Sequence, residues 1–156
     1  MRTDETENDG HVMPRVTLWL GLGGLVPFLA LAGALVLGQS LPLIGGADAI
    51  RQALMIYAVA ILSFLGGVRW GIAMGYADGK VAVRDFLISV IPAILGWAAA
   101  LLPLGPGLWL MVAAFVMLGL YDYGLACRTV APEWYGRLRL ALTAAASTLL
   151  AAAALA

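Results

Sequence analysis

Apolar residues run in long blocks along this chain, and the polar positions between them mark where helices should stop. A bilayer core of roughly 30 Å needs about 20 apolar helical residues. Thr17–Leu37 and Ala53–Ala73 each supply a run of that kind. From Phe86 to Tyr121, 36 residues pass without a charge. That is too long for one crossing, and Pro103-Leu104-Gly105-Pro106-Gly107 interrupts it with residues that break helices. Two spans are predicted there, about Phe86–Leu102 and Leu108–Leu125, joined by a tight turn. Leu140–Ala156 forms a fifth. The expected fold is therefore all-α: a polytopic membrane domain over residues 16–156, built as a bundle of five transmembrane helices. Residues 1–15 are polar and acidic (Asp4, Glu5, Glu7, Asp9) and are expected to be a disordered tail. An acidic start and so long an apolar run do not suit a cleaved leader.

Composition agrees with this pattern. Of 156 residues, 63% are hydrophobic and 12% charged, against about 25% charged in a soluble domain; the mean hydropathy is +0.96. The net charge of zero conceals an asymmetry. With five spans, one side of the membrane receives Arg2, Arg15, Lys80, Arg84, Arg128, Arg137 and Arg139, whereas the other receives only Arg51. Basic residues are retained on the cytoplasmic side, so the N-terminus is expected inside and the C-terminus outside.

Arg69 stands out against this background. Seventeen uncharged residues, Gln52 to Val68, precede it, and eight more, Trp70 to Ala77, follow. A guanidinium keeps its proton, so within a bilayer it needs water, a lipid head group or an acid. Asp122 is the one intramembrane acid that the predicted spans place at a matching depth. Two readings stay open: Arg69 snorkels to lipid phosphates, or it pairs with Asp122 and pins spans 2 and 4 together. Trp70, Tyr121, Tyr123, Trp134 and Tyr135 fall at the same level, where aromatic side chains serve as interface anchors.

Small residues suggest how the helices meet. Ser63, Gly67, Gly71 and Gly75 recur every four positions on span 2, with Gly66 beside them. The spacing predicts a groove that admits a neighbouring backbone. Arg69 lies about 200° around the helix from Gly67, at 100° per residue, and so faces elsewhere. Leu62 is expected to matter less than the glycines. Pro27 and Pro92 should bend spans 1 and 3.

Several motifs together carry a family resemblance. They are Gly24-Leu25-Val26-Pro27-Phe28; Tyr57 followed by Leu62-Ser63-Phe64-Leu65-Gly66-Gly67-Val68-Arg69-Trp70-Gly71; Ser89-Val90-Ile91-Pro92 with Trp97; and Pro132-Glu133-Trp134-Tyr135 with Leu138-Arg139 and Thr143. In this order, over about residues 20–145, the chain resembles the family called domain of unknown function 3429, which includes transmembrane protein 69 of animals. The resemblance implies a small multi-helix protein of bacterial inner membranes and of mitochondria. It implies no catalytic residue, cofactor or activity.

The residues themselves exclude several chemistries. The single histidine, His11, lies in the tail, and no span carries a cluster of His, Asp and Glu that could hold a metal. Ser63, Ser89, Thr143 and Ser147 have no base nearby in sequence and read as helix-packing hydroxyls. No phosphate loop or dinucleotide fingerprint is present. Cys127, the one cysteine, reads as an ordinary thiol. Neither an enzyme nor a cofactor is expected, and nucleic acid is not an expected partner. The expectation is a non-enzymatic binding or assembly protein whose partners are membrane lipids or another membrane protein. Its cytoplasmic-leaflet pocket would use Arg69, Asp122, Trp70, Trp134, Arg137 and Arg139 for an anionic head group or a partner helix. The alternative is a small proton- or solute-coupled transporter using Arg69 and Asp122, which would need a polar path through the outer half.

Overall fold

The computed structural model describes residues 15–127 and 133–156, excepting the side chains of 125–127 and 133. The N-terminal tail with His11, the segment around Arg128 and the Cys127 side chain therefore lie outside the described residues. Among the described residues five α-helices follow one another: α1 (Arg15–Val36), α2 (Ala47–Ala73), α3 (Gly79–Ala100), α4 (Leu104–Cys127) and α5 (Glu133–Leu155). Each contains a stretch long and apolar enough to cross a membrane.

The helices begin earlier than hydropathy alone suggests, and local chemistry explains where. Asp78 caps α3 by accepting from the Lys80 backbone N–H at 2.8 Å, which satisfies an otherwise unpaired donor of the first turn. The helix thus starts seven residues before Phe86 and carries Arg84 and Asp85 on its first two turns. Asp48 sits in the first turn of α2, where the helix dipole favours an acid, and Arg51 pairs with it at 3.0 Å. The Pro103–Gly107 segment does separate two helices, but α4 resumes at Leu104 because a proline at the start of a helix lacks only a donor that has no partner there. At the end of α1, Gly38 takes φ +63°. Its N–H donates to the Leu35 carbonyl while that of Gln39 donates to the Ala34 carbonyl, the pair of hydrogen bonds that closes a helix on a left-handed residue.

Successive helices run antiparallel. Val59 meets Gly96, and Gly66 meets Ser89 and Pro92; Gly107 meets Ala99, and Gly119 meets Thr143. The most extensive contacts join α4 to α5 and α2 to α3, while α1 lies against α2 and α5. The core is apolar, with Phe28, Leu54, Leu62, Leu108, Met111 and Leu150 buried. Phe28 contacts Tyr57 and Phe115 edge-on, with ring centroids 5.1 and 5.9 Å away.

The small-residue groove on α2 is not where the sequence places it. Gly67, Gly71 and Gly75 are exposed and Ser63 is half-buried; a Cβ on Gly67 or Gly71 would meet nothing within 4 Å. A Cβ on Gly75 would meet only the nearby Ile72 carbonyl. The buried face runs instead through Leu62, Gly66, Arg69 and Ala73. Of the predicted packing set, Gly66 alone takes a close approach: a Cβ there would lie 2.5 Å from the Ser89 carbonyl oxygen. Inward direction is set by the larger apolar residues on the same stripe, not by the density of glycine. Leu62, expected to matter less than the glycines, is fully buried.

Candidate functional site

Each of helices α2 to α5 sends a charged side chain inward at one level of the bundle. Arg69 is buried despite its size, as are Asp85, Asp122 and Arg139. Arg69 Nη1 donates to Asp122 Oδ1 at 2.8 Å, and Arg139 Nε donates to Asp122 Oδ2 at 2.8 Å. One carboxylate thus holds two arginines, each on its own oxygen. Arg69 Nη2 also reaches Asp85 Oδ2 at 3.5 Å, and the guanidinium carbon lies 4.0 Å from the centroid of the Tyr121 ring, a distance at which a cation is attracted to a ring face. The pairing reading of Arg69 is therefore the geometry observed.

Asp85 is the other centre. It accepts from Tyr121 Oη at 3.0 Å and from Arg84 Nε at 3.1 Å on Oδ1. On Oδ2 it accepts from Tyr76 Oη at 2.9 Å as well as from Arg69. Burial pushes the Tyr76 hydroxyl above its ordinary value, and the bond to Asp85 adds to the rise, so Tyr76 remains a proton donor at neutral pH. Asp122 is accordingly not the one buried acid. Asp85 was hidden in the sequence by its neighbour Arg84, which placed it outside the apolar block. A signal was nonetheless present: Asp85, Ser89, Pro92, Gly96 and Ala99 recur at helical spacing and form the buried face of α3.

Arg69, Arg139, Asp85 and Asp122 balance to zero charge, which makes their shared burial tolerable; a buried ion remains only when it is paired and hydrogen-bonded. The arrangement ties four helices together, but among the described residues Arg69 Nε and Arg139 Nη2 find no hydrogen-bond partner, nor do the buried hydroxyls of Thr143 and Ser147. The other residues proposed for the site are spread apart. Trp70 is half-exposed on the far side of α2 and packs on Phe86, with centroids 4.7 Å apart. Trp134 is half-buried against Tyr135. Arg137 is exposed at the rim of α5.

Arg139 also borders a cavity of about 350 Å³ enclosed by α1, α2, α4 and α5. Leu25, Phe28, Ile61, Leu65 and Phe115 give it apolar walls, whereas Arg139, Thr143 and Tyr135 lie along its α5 side. Leu20 and Phe64 line it and are largely exposed, so its mouth opens sideways, to where lipid would stand. Above Tyr57, whose hydroxyl donates to the Gly24 carbonyl at 2.9 Å, α1 and α2 are held together.

Five apolar helices around an inward-facing ion cluster define an integral multi-pass membrane protein. The chain belongs to the family described as protein of unknown function (DUF3429), whose model matches residues 13–155. It is 35% identical over 140 residues to transmembrane protein 69 of Xenopus tropicalis, covering 85% of this chain and 51% of that protein. It is 34% identical over 92 residues to transmembrane protein 69 of Mus musculus, covering 56% of this chain and 34% of that one. The chain thus spans about half the length of the first of these curated relatives and a third of the second. No solved structure matches it.

Proposed function

We propose that this is a non-enzymatic binding protein that holds an anionic lipid in the leaflet on its basic side. The observation that carries this reading is Arg139. It is buried, its Nη2 has no hydrogen-bond partner among the described residues, and it stands beside a cavity open to the side. Basic pockets between helices on the cytoplasmic side suit anionic head groups. Arg69, Asp122 and Asp85 form the brace that holds Arg139 in place, and Arg137 adds positive charge at the rim. Trp70 and Trp134 act as interface anchors rather than as ligand contacts. The basic asymmetry supports a cytoplasmic N-terminus and an outward C-terminus, in the inner membrane if the cell is bacterial.

Transport fits the interior less well. Beyond Ser147, the other half of the bundle is filled by Ile50, Leu54, Met55, Leu108, Met111 and Leu150, all fully buried and apolar, and a carrier would need polar groups there. The test is lipid analysis of protein purified in mild detergent. Wild type is expected to retain an anionic lipid that Arg139→Gln loses. Equal lipid profiles in the two would contradict the reading.

A further inference from the structure

The cavity and the charge balance at its wall together restrict the ligand. At about 350 Å³, the space lies near the lower end of ligand cavities, roughly 300–1,000 Å³. It has room for one hydrocarbon chain and not for two. Its walls at Leu25, Phe28, Ile61 and Phe115 offer nothing polar to a ligand. A donor occurs on the α5 side, where Arg139 Nη2 is buried and has no hydrogen-bond partner among the described residues. The Thr143 hydroxyl, one helical turn further on, packs against Gly119 of α4 instead.

Charge narrows the choice further. Arg139 already gives Nε to Asp122 at 2.8 Å, and Asp122 is shared with Arg69. With Asp85 counted, the buried arginines and aspartates cancel. A single negative charge added here gains one charge-assisted hydrogen bond against a neutral background. A second would add to the repulsion from Asp122, at a cost that grows in a low-dielectric interior.

We infer that the cavity takes a single-chain amphiphile with a monoanionic acid head, its chain along α1 and α2 and its head at Arg139. This rests on the lipid-binding reading and makes it narrower. Two sources share the chemistry: a free long-chain carboxylic acid, and a lysophospholipid whose phosphodiester carries one charge.

Native mass spectrometry of the full chain in detergent tests this with four probes: palmitate, lysophosphatidylglycerol, diacyl phosphatidylglycerol and hexadecanol. Palmitate or lysophosphatidylglycerol should bind one per chain, and whichever binds identifies the source. Arg139→Gln should weaken that binding about tenfold or more, the loss of one charged hydrogen bond. Gly24→Leu provides a second variant that leaves every ion pair in place: Gly24 lines the cavity, and a Cβ there meets nothing within 4 Å. It should block the chain. Equal binding of the diacyl lipid, lost in both variants, would overturn the single-chain inference and leave the broader reading standing. Equal binding of hexadecanol would overturn the acidic head. If neither variant affects any probe, both readings fail. A mass for two chains without amphiphile would give the cavity to a second copy and overturn the proposal.

Discussion

Removing the Asp122 carboxylate would leave Arg69 and Arg139 facing each other in a water-poor interior. Breaking a buried ion pair from one side costs ~3–5 kcal/mol, and here two cations would lose their partner at once. Asp122→Ala should therefore lower stability in detergent more than Arg69→Ala does, since without Arg69 the two acids still have partners, Asp122 in Arg139 at 2.8 Å and Asp85 in Arg84 at 3.1 Å. Combining the two changes should cost less than their sum, because the second removes a charge that the first had stranded. Thermal unfolding of the four proteins in one detergent gives the comparison, and simple addition would show that the pair carries no energy of its own. The sequence made these two residues legible because a long uncharged run precedes each. It did not reveal Arg139 as a partner of Asp122, or Asp85 as a second acceptor, because each lies at the edge of an apolar block. Charge at such a position looks like an interface residue until the helix is known to extend past it.

Hydropathy locates a helix well, but it does not say which way the helix faces. Ser63, Gly67, Gly71 and Gly75 form the more regular stripe on α2, yet the stripe of Leu62, Gly66, Arg69 and Ala73 is the one turned inward. A charged residue that must be paired is a better guide to the interior than small residues are, since glycine is tolerated on either side. The consequence can be measured. Gly66→Leu should disrupt the α2–α3 contact, because its side chain would run into the Ser89 carbonyl and the Pro92 ring. Gly67→Leu and Gly71→Leu should be tolerated, as both point to open space. Leu62→Ala should cost about 2–5 kcal/mol, the usual range for emptying a packed site. Thermal stability in detergent separates these outcomes; a Gly67→Leu variant as damaged as Gly66→Leu would contradict the assigned face. Element boundaries were legible only in part, since the Asp78 cap and the continuation of α3 through Arg84 and Asp85 depend on hydrogen bonds that hydropathy does not record.

At the scale of the molecule, the five-helix bundle followed from charge-free runs and one Pro/Gly break. Neither the cavity nor its mouth could be read from sequence, because both arise where α1, α2 and α5 diverge in space. Orientation makes its own prediction: a reporter inserted in the 38–46 loop should be active outside, and one in the 74–78 loop inside, as the basic residues around Lys80 and Arg84 require. Activity reversed between the two sites would invert the bundle. Lipid binding makes another. A ligand that binds only the folded protein stabilises it by mass action, about 2.7 kcal/mol at a hundredfold excess over Kd. Thermal unfolding of wild type, Arg139→Gln and Gly24→Leu, each with and without added palmitate or lysophosphatidylglycerol, therefore puts the central claim to the most direct test. The account predicts a rise in Tm for wild type and little or none for either variant, whatever their starting stabilities. A rise of equal size in all three proteins, or none in wild type, would contradict it.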